Sequence, residues 1–290
     1  KNELTDGALK GFGAVSEAKN STIAELFEDP IQFEIFNARC HDTGDSITLE
    51  NAKIFKEEFL KRNVKIQTGL LNLQSMRLGI NAVIALSNSI GSKRVDKLNL
   101  ADNTISDYGM HAIKNILKTR DFKVLNLASN MVSGEGLELI LDDLVENPTL
   151  KHLDLGITEG SMRKNSLGIQ GAVCISALLI KNKILANLSI NDNDLGPDGG
   201  ECIGIALSQN SSLQVLKIAE NDLKSEGAIP IIKSAINLQQ LSLAKNFMKS
   251  DVGKPLAKLL KHSTAIQRLS LEFNELQVQG CKWIAKGISQ

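Results

Sequence analysis

The sequence predicts an α/β solenoid, with a parallel sheet along its concave face and helices along its convex face, bent into a horseshoe. Three observations predict it. Leu98-Asn99-Leu100-Ala101-Asp102-Asn103-Thr104-Ile105 is followed by Gly109, Ile113 and Leu117, and the same phrase returns 27 residues later as Leu125-Asn126-Leu127-Ala128-Ser129-Asn130-Met131-Val132 with Gly136, Ile140 and Leu144. The opening pair, L-x-L or L-x-I, recurs at Leu71, Leu98, Leu125, Leu153, Leu188, Leu216, Leu241 and Leu269, which makes eight units. Seven of these carry an asparagine shortly after the pair: Asn103, Asn130, Asn165, Asn193, Asn221, Asn246 and Asn274. A unit this short cannot bury its apolar side alone, so copies must stack and share one continuous core.

The chain before the repeats reads differently. Residues 1–62 form an N-terminal extension and a degenerate capping unit that covers the open end of the stack. Within them Thr22-Ile23-Ala24-Glu25 has capping-box spacing, predicting a short helix through Phe27 that ends near Pro30. Phe33-Glu34-Ile35 alternates like a strand, and Leu49 to Lys61 carries Ile54, Phe55, Phe59 and Leu60 at helical spacing. Residues 63–290 are the eight repeats. The first of them has Met76 in place of the asparagine and Ala82 in place of the glycine.

Each letter of the repeat has a cause. Leucines two apart in a strand point to one side, so Leu98 and Leu100 enter the core while Asn99 faces away. The asparagine falls where the chain turns inward and backbone groups would otherwise be buried unpaired. Its amide both donates and accepts, and stacked copies predict a ladder. Ile113 and Leu117 share one helical face that closes over the strand, and the preceding glycine is expected to ease a tight entry. Strands sit ~4.8 Å apart while packed helices need ~8–10 Å, so the sheet must lie on the inside of the bend.

Composition narrows the function. Lys plus Arg is 33 and Asp plus Glu is 33, so no global field draws the chain to nucleic acid or to an anionic membrane. No apolar run is long enough for membrane insertion, and Lys1 to Asn20 lacks the hydrophobic core of a signal peptide. Cys40, Cys174, Cys202 and Cys281 form no C-x-x-C pair and read as free thiols of a reducing compartment, hence a cytoplasmic location. On that reading the sequons at Asn20, Asn187 and Asn210 are chance. No nucleophile motif, phosphate-binding loop or metal-ligand spacing is legible, so no catalytic residue, cofactor or metal is assigned. His41, His111, His152 and His262 are isolated, and Asp142-Asp143 reads as a solvated helix face.

Partner-binding candidates come from departures in the pattern. Between Leu155 and Asn165 stand nine residues where the other units have two, an insertion at 156–164 carrying Glu159, Met162, Arg163 and Lys164. Such insertions map to loops on one edge of a solenoid, often the binding edge. Asp102, Asp192 and Glu220 place a carboxylate just before the ladder asparagine, and the last unit reads Glu272-Phe273 there. An exposed Phe beside a charge is an anchor type. The sheet's outward positions, Asn72, Asn99, Asn126, Asp154, Ser189, Lys217, Ser242 and Ser270, are small and nearly neutral, with few anchor types. The final unit ends on Trp283, Ile284 and Ile288 without a polar cap, which predicts a continuing chain or a docked edge.

The pattern L-x-L-x-x-N-x-(I/L)-x-x-x-G from Leu71 to Ile288 resembles the ribonuclease-inhibitor-like class of leucine-rich repeat proteins, to which Ran GTPase-activating proteins also belong. The resemblance implies a non-enzymatic scaffold that binds protein partners through its concave face and rim loops, inside a larger complex. Members of the class serve cytoskeletal and ciliary axonemal assemblies. It leaves two alternatives: a GTPase activator, for which Arg77 or Arg163 are the available cations, and the sensing end of a larger receptor.

Overall fold

The computed structural model describes residues 23–27, 29–63, 69–92, 95–119 and 121–289. Thr22, the first letter of the capping-box spacing, lies outside them. Ile23 and Ala24 are helical and lead into a turn, and the first long helix, α1 (Pro30–Thr43), begins where the sequence suggested an end. The Asp29 carboxylate caps it by accepting from the Ile31 N–H at 3.1 Å, and Pro30 supplies the preset φ of a first helical residue. The strand expected at Phe33–Ile35 is therefore a helix. Two apolar positions in alternation were outweighed by the four-residue spacing of Ile31, Ile35 and Arg39 beside Gln32, Phe36 and Cys40, all of them buried.

Helix α1 ends at Gly44 in the left-handed region (φ 72°) and is followed by α2 (Leu49–Arg62), capped by Thr48. Together they hold a cluster of rings, with centroid distances of 5.7 Å for Phe27–Phe36, 5.6 Å for Phe36–Phe55 and 6.1 Å for Phe55–Phe59. Five of the chain's nine phenylalanines stand here, counting Phe33. These rings add large apolar area to the core that continues into the repeats.

Eight three-residue strands follow: β1 (Leu70–Asn72), β2 (Lys97–Asn99), β3 (Val124–Asn126), β4 (His152–Asp154), β5 (Asn187–Ser189), β6 (Val215–Lys217), β7 (Gln240–Ser242) and β8 (Arg268–Ser270). All are parallel and paired in chain order, with the index leucines in register from Leu71 through Leu98, Leu125, Leu153, Leu188, Leu216 and Leu241 to Leu269. Each return path carries helix: α3 (Ile80–Ser89), α4 (Ser106–Thr119), α5 (Gly134–Leu139) with α6 (Leu141–Glu146), α7 (Gly168–Lys181), α8 (Gly196–Ser208), α9 (Lys224–Ser234), α10 (Gly253–His262) and α11 (Gln277–Ile288). The molecule is an α/β repeat solenoid with one uninterrupted apolar core. In α4, Met110, Ile113, Ile116 and Leu117 are buried over the strand leucines, as their helical spacing requires.

The repeat glycine sits in a tight helix entry: a Cβ on Gly109 would come 2.5 Å from the Ile105 side chain, and one on Gly171 2.4 Å from the Leu167 side chain. Gly227 lies inside α9 with ordinary helical φ, and a Cβ there would come 2.6 Å from the carbonyl oxygen of Pro197 in the neighbouring α8. At Gly227 the close approach of the adjacent helix backbone excludes a side chain as well. A second set of asparagines, absent from the reading of the repeat, closes the outer side. Asn182 accepts from the N–H groups of Ile184 and Leu185, both at 2.8 Å, and donates to the Leu144 and Val145 carbonyls at 3.1 Å. Asn210 does the same between Leu213 and Leu179, and its burial removes the sequon there from the surface.

Candidate functional site

The turn that leaves each strand forms the rim of the solenoid, and the ladder asparagines build it. The Asn103 carbonyl oxygen accepts the N–H groups of Met76 (3.2 Å) and Leu78 (2.9 Å), while its amide donates to Leu73 (3.0 Å) and Leu100 (2.8 Å). Asn165 receives Asn130 and Val132, both at 3.0 Å, and Asn246 receives Asn221 at 3.0 Å and Leu223 at 3.3 Å. Asn274 receives Asn246 and Met248, and Asn221 receives Asn193. Asn130 and Asn193 donate through their amides, but their side-chain oxygens have no partner among the described residues.

Folding the chain around each asparagine puts its flanking residues in the left-handed region. Asp102 (φ 55°), Asp192 (54°), Asp194 (55°), Glu220 (57°) and Asp222 (52°) occupy such positions, where a short acidic side chain is tolerated better than a branched one. Lys245 (53°), Phe247 (55°) and Phe273 (55°) occupy the same positions with large side chains.

The insertion 156–164 folds back along this rim and is tied at both ends. The Thr158 N–H donates to the Ser129 hydroxyl at 2.8 Å, and Ser161 and Arg163 both donate to Asp102, at 2.6 and 3.1 Å. On the other side Lys164 reaches Asp194 at 2.9 Å and Asp192 at 3.3 Å. Four of the candidate residues thus meet in two pairs, Asp102 with Arg163 and Asp192 with Lys164, while Glu159 and Met162 stand exposed at the tip, Met162 almost completely. Partial burial alone would raise the Asp102 carboxyl, yet hydrogen bonds from Ser161 and Ser75 and the Arg163 guanidinium hold it below its ordinary range. The Lys164 hydrogen bond lowers Asp194, and Asp194 in turn raises Lys164.

Glu220, Glu272 and Phe273 fall elsewhere on the rim, over the last three units. Glu220 pairs with Lys245 at 2.9 Å, and Glu272 accepts from the Ser270 hydroxyl, which lowers its carboxyl. Phe273 is 81% exposed, and beside it Phe247, which the sequence reading passed over, is 57% exposed. The two rings help line a cleft of about 450 Å³ with Asp194, Glu220, Asn221, Asp222 and Lys245. The signal for Phe247 was available, since it occupies the position after the ladder asparagine where the preceding five units have Thr104, Met131, Ser166, Asp194 and Asp222.

The sheet's outer surface is internally bonded over its first four strands, while residues from β3 to β7, among them Ser189 and Lys217, line an open concave cavity of about 370 Å³. The side chains of Asn72, Asn99, Asn126 and Asp154 each accept from the N–H two residues on, bracing the strand exit. Asn187 contacts His152 at 2.7 Å, and burial together with Lys97 and Lys151 holds that imidazole below its ordinary pKa. Arg77 pairs with Asp45, so neither arginine considered for GTPase activation is unengaged. Cys40, Cys174, Cys202 and Cys281 are all free, and burial raises the Cys40 and Cys174 thiols. Among the described residues no group of His, Cys, Asp or Glu could hold a metal ion, and no helix is long and apolar enough to cross a membrane.

Comparison with known proteins agrees with the repeat geometry. A family model described as leucine rich repeat matches residues 181–204 and 209–231, windows that contain β5, β6 and the asparagines Asn193 and Asn221. No curated protein matches. A solved structure similar to this chain is leiomodin-1 actin-binding site 2 (ABS2), at 17% identity over 62% of this chain and 87% of that one, with a TM-score of 0.38. With eight parallel strands in one register, amides bridging unit to unit and a family match across two consecutive units, the chain is a leucine-rich repeat protein.

Proposed function

We propose that this chain is a non-enzymatic scaffold that holds a partner protein on the rim of its last repeats, within a cytoplasmic assembly of the cytoskeletal or axonemal kind. The observation that carries the rim is the pair Phe247 and Phe273. Every other phenylalanine among the described residues is buried or half-buried, while these two project from left-handed backbone on consecutive units. A bulky residue is a poor choice for that conformation, and an exposed ring buries little apolar area in return. Aromatic side chains are the type that dominates binding energy at interfaces. The insertion, held rigidly by its two ties, lies along the same edge and presents Glu159 and Met162.

The test is site-specific photo-crosslinking in cells, with a benzophenone side chain placed at Phe273, at the tip residue Met162, or at Ser242 on the sheet. Covalent capture of the same protein from Phe273 but not from Ser242 supports the rim. Capture from Ser242 alone would move the partner to the concave face and refute the rim reading. The assembly is tested by extraction: retention with axonemes or a cytoskeletal fraction supports it, and complete release into the soluble pool speaks against it.

A further inference from the structure

The cleft between Phe247 and Phe273 carries a charge signature that defines its occupant. Its lining brings three carboxylates, Asp194, Glu220 and Asp222, against one ammonium, Lys245. That ammonium already displays how a cation sits there. The Lys245 Nζ lies 2.9 Å from Glu220 and 5.8 Å from the centroid of the Phe273 ring, so it is held by a carboxylate on one side and a ring face on the other. The same pair of groups occurs once more without a cation. Asp222 has no ion pair among the described residues, is exposed, and lines the cleft together with the exposed Phe247. Asp194 is already neutralised by Lys164, and Glu220 by Lys245.

Resting on the reading that the rim binds a protein, we propose that this cleft receives an arginine of the partner, its guanidinium over Phe247 and hydrogen-bonded to Asp222, with an adjacent apolar side chain against Phe273. Arginine fits better than lysine for two reasons. Its planar head stacks on a ring while its fork still reaches a carboxylate, and it is more weakly hydrated, so seating it against a phenyl ring costs less. The unpaired Asp222 gives the cleft a preference that two phenyl rings alone would lack. An acidic segment would meet Asp222, Glu220 and Asp194 with like charge.

The experiment is selection from a random dodecapeptide display library on the full chain, followed by anisotropy titration of the enriched peptides against Phe247→Ser, Phe273→Ser and Asp222→Asn. Asparagine accepts left-handed backbone at least as well as aspartate, so Asp222→Asn tests charge with the fold intact. Melting curves verify the serine variants. Expected are peptides enriched in arginine next to leucine or another apolar residue, bound roughly fivefold to tenfold more weakly by each variant and losing affinity when their arginine is replaced by lysine. Enriched peptides that need both rings but carry no basic residue would overturn the arginine proposal and leave the rim reading standing. Binding unaffected by either serine variant, or no enrichment at all, would overturn both.

Discussion

The side chain of Asn63 pairs with the backbone of Asn72 in both directions, accepting its N–H at 2.7 Å and donating to its carbonyl at 2.8 Å. One amide thus reproduces the pairing that a preceding strand would have offered to the free edge of β1, and a second bond to the Phe59 carbonyl anchors it to α2. An exposed parallel edge invites pairing with other chains, and this contact covers it. Asn63→Ala leaves a donor and an acceptor of β1 unpaired at the half-buried Asn72 and should destabilise by about 1–3 kcal/mol. Amide exchange at Asn72 should accelerate well beyond that at Ser242, and equal protection at both would refute the edge role.

Within the ladder, the rungs are unequal. Asn165 accepts two backbone N–H groups, whereas the Asn130 side-chain oxygen accepts none among the described residues. Asn165→Ala should therefore cost about 1–3 kcal/mol in denaturant unfolding, and Asn130→Ala clearly less. Leu127→Ala, at a completely buried position of the same unit, should cost roughly 2–5 kcal/mol through lost burial and a residual cavity. Equal losses for the two asparagines would mean that the carbonyl side of the amide contributes nothing.

Protonation should release the insertion in acid. The folded pKa values of Asp102 and Asp194 lie below their ordinary range, so their contribution is complete above the unfolded value of about 3.9 and disappears as pH falls through the folded one. Lys164 is raised, so its contribution is complete below about 10.4 and lost only as pH climbs through the folded value. The ties are thus intact across the neutral range. The Lys164 and Asp194 side chains are 43% and 52% exposed, and pairs of that kind contribute no more than about 1 kcal/mol. The expected effect is accordingly local: amide exchange in 156–164, corrected for intrinsic rate, rises below about pH 4 while the strands stay protected. Asp102→Asn should give part of that loosening already at neutral pH, and unchanged exchange in both conditions would contradict the strap.

What the sequence made readable is whatever repeats. The leucines and asparagines recur at one spacing because every unit meets the same neighbour, so a period suffices to locate strands, helices and turns. Contacts made once have no such echo. The Asn63 edge contact and the helix at Pro30–Thr43 lie outside the repeat, and there a three-residue alternation pointed to the wrong element. The rim candidates were legible as positions but not as relationships. That Arg163 and Lys164 are tied to Asp102 and Asp194, 61 and 30 residues away in sequence, depends on how the insertion lies across the stack. Phe247 was hidden for a different reason, because it stands in a position whose side chain differs among most units and so looks unconstrained until its exposure is seen.

The close helix packing offers a further test, because it separates local from global stability. A Cβ on Gly200 would lie 2.7 Å from the Gly227 carbonyl oxygen, a contact with backbone that no rotamer change can relieve. Gly200→Ala must therefore push α8 and α9 apart, and overpacking of this kind costs about 1–3 kcal/mol against a helix-propensity gain of up to ~1 kcal/mol for replacing glycine. Each unit touches mainly its neighbours, so the damage should stay near its origin. Exchange should quicken in α8, α9 and strands β5 to β7, while the ring cluster around Phe36 and Phe55 keeps its protection. A uniform loss of protection along the chain would instead mean that the stack unfolds as one cooperative body, and the unit-by-unit account of its stability would fail.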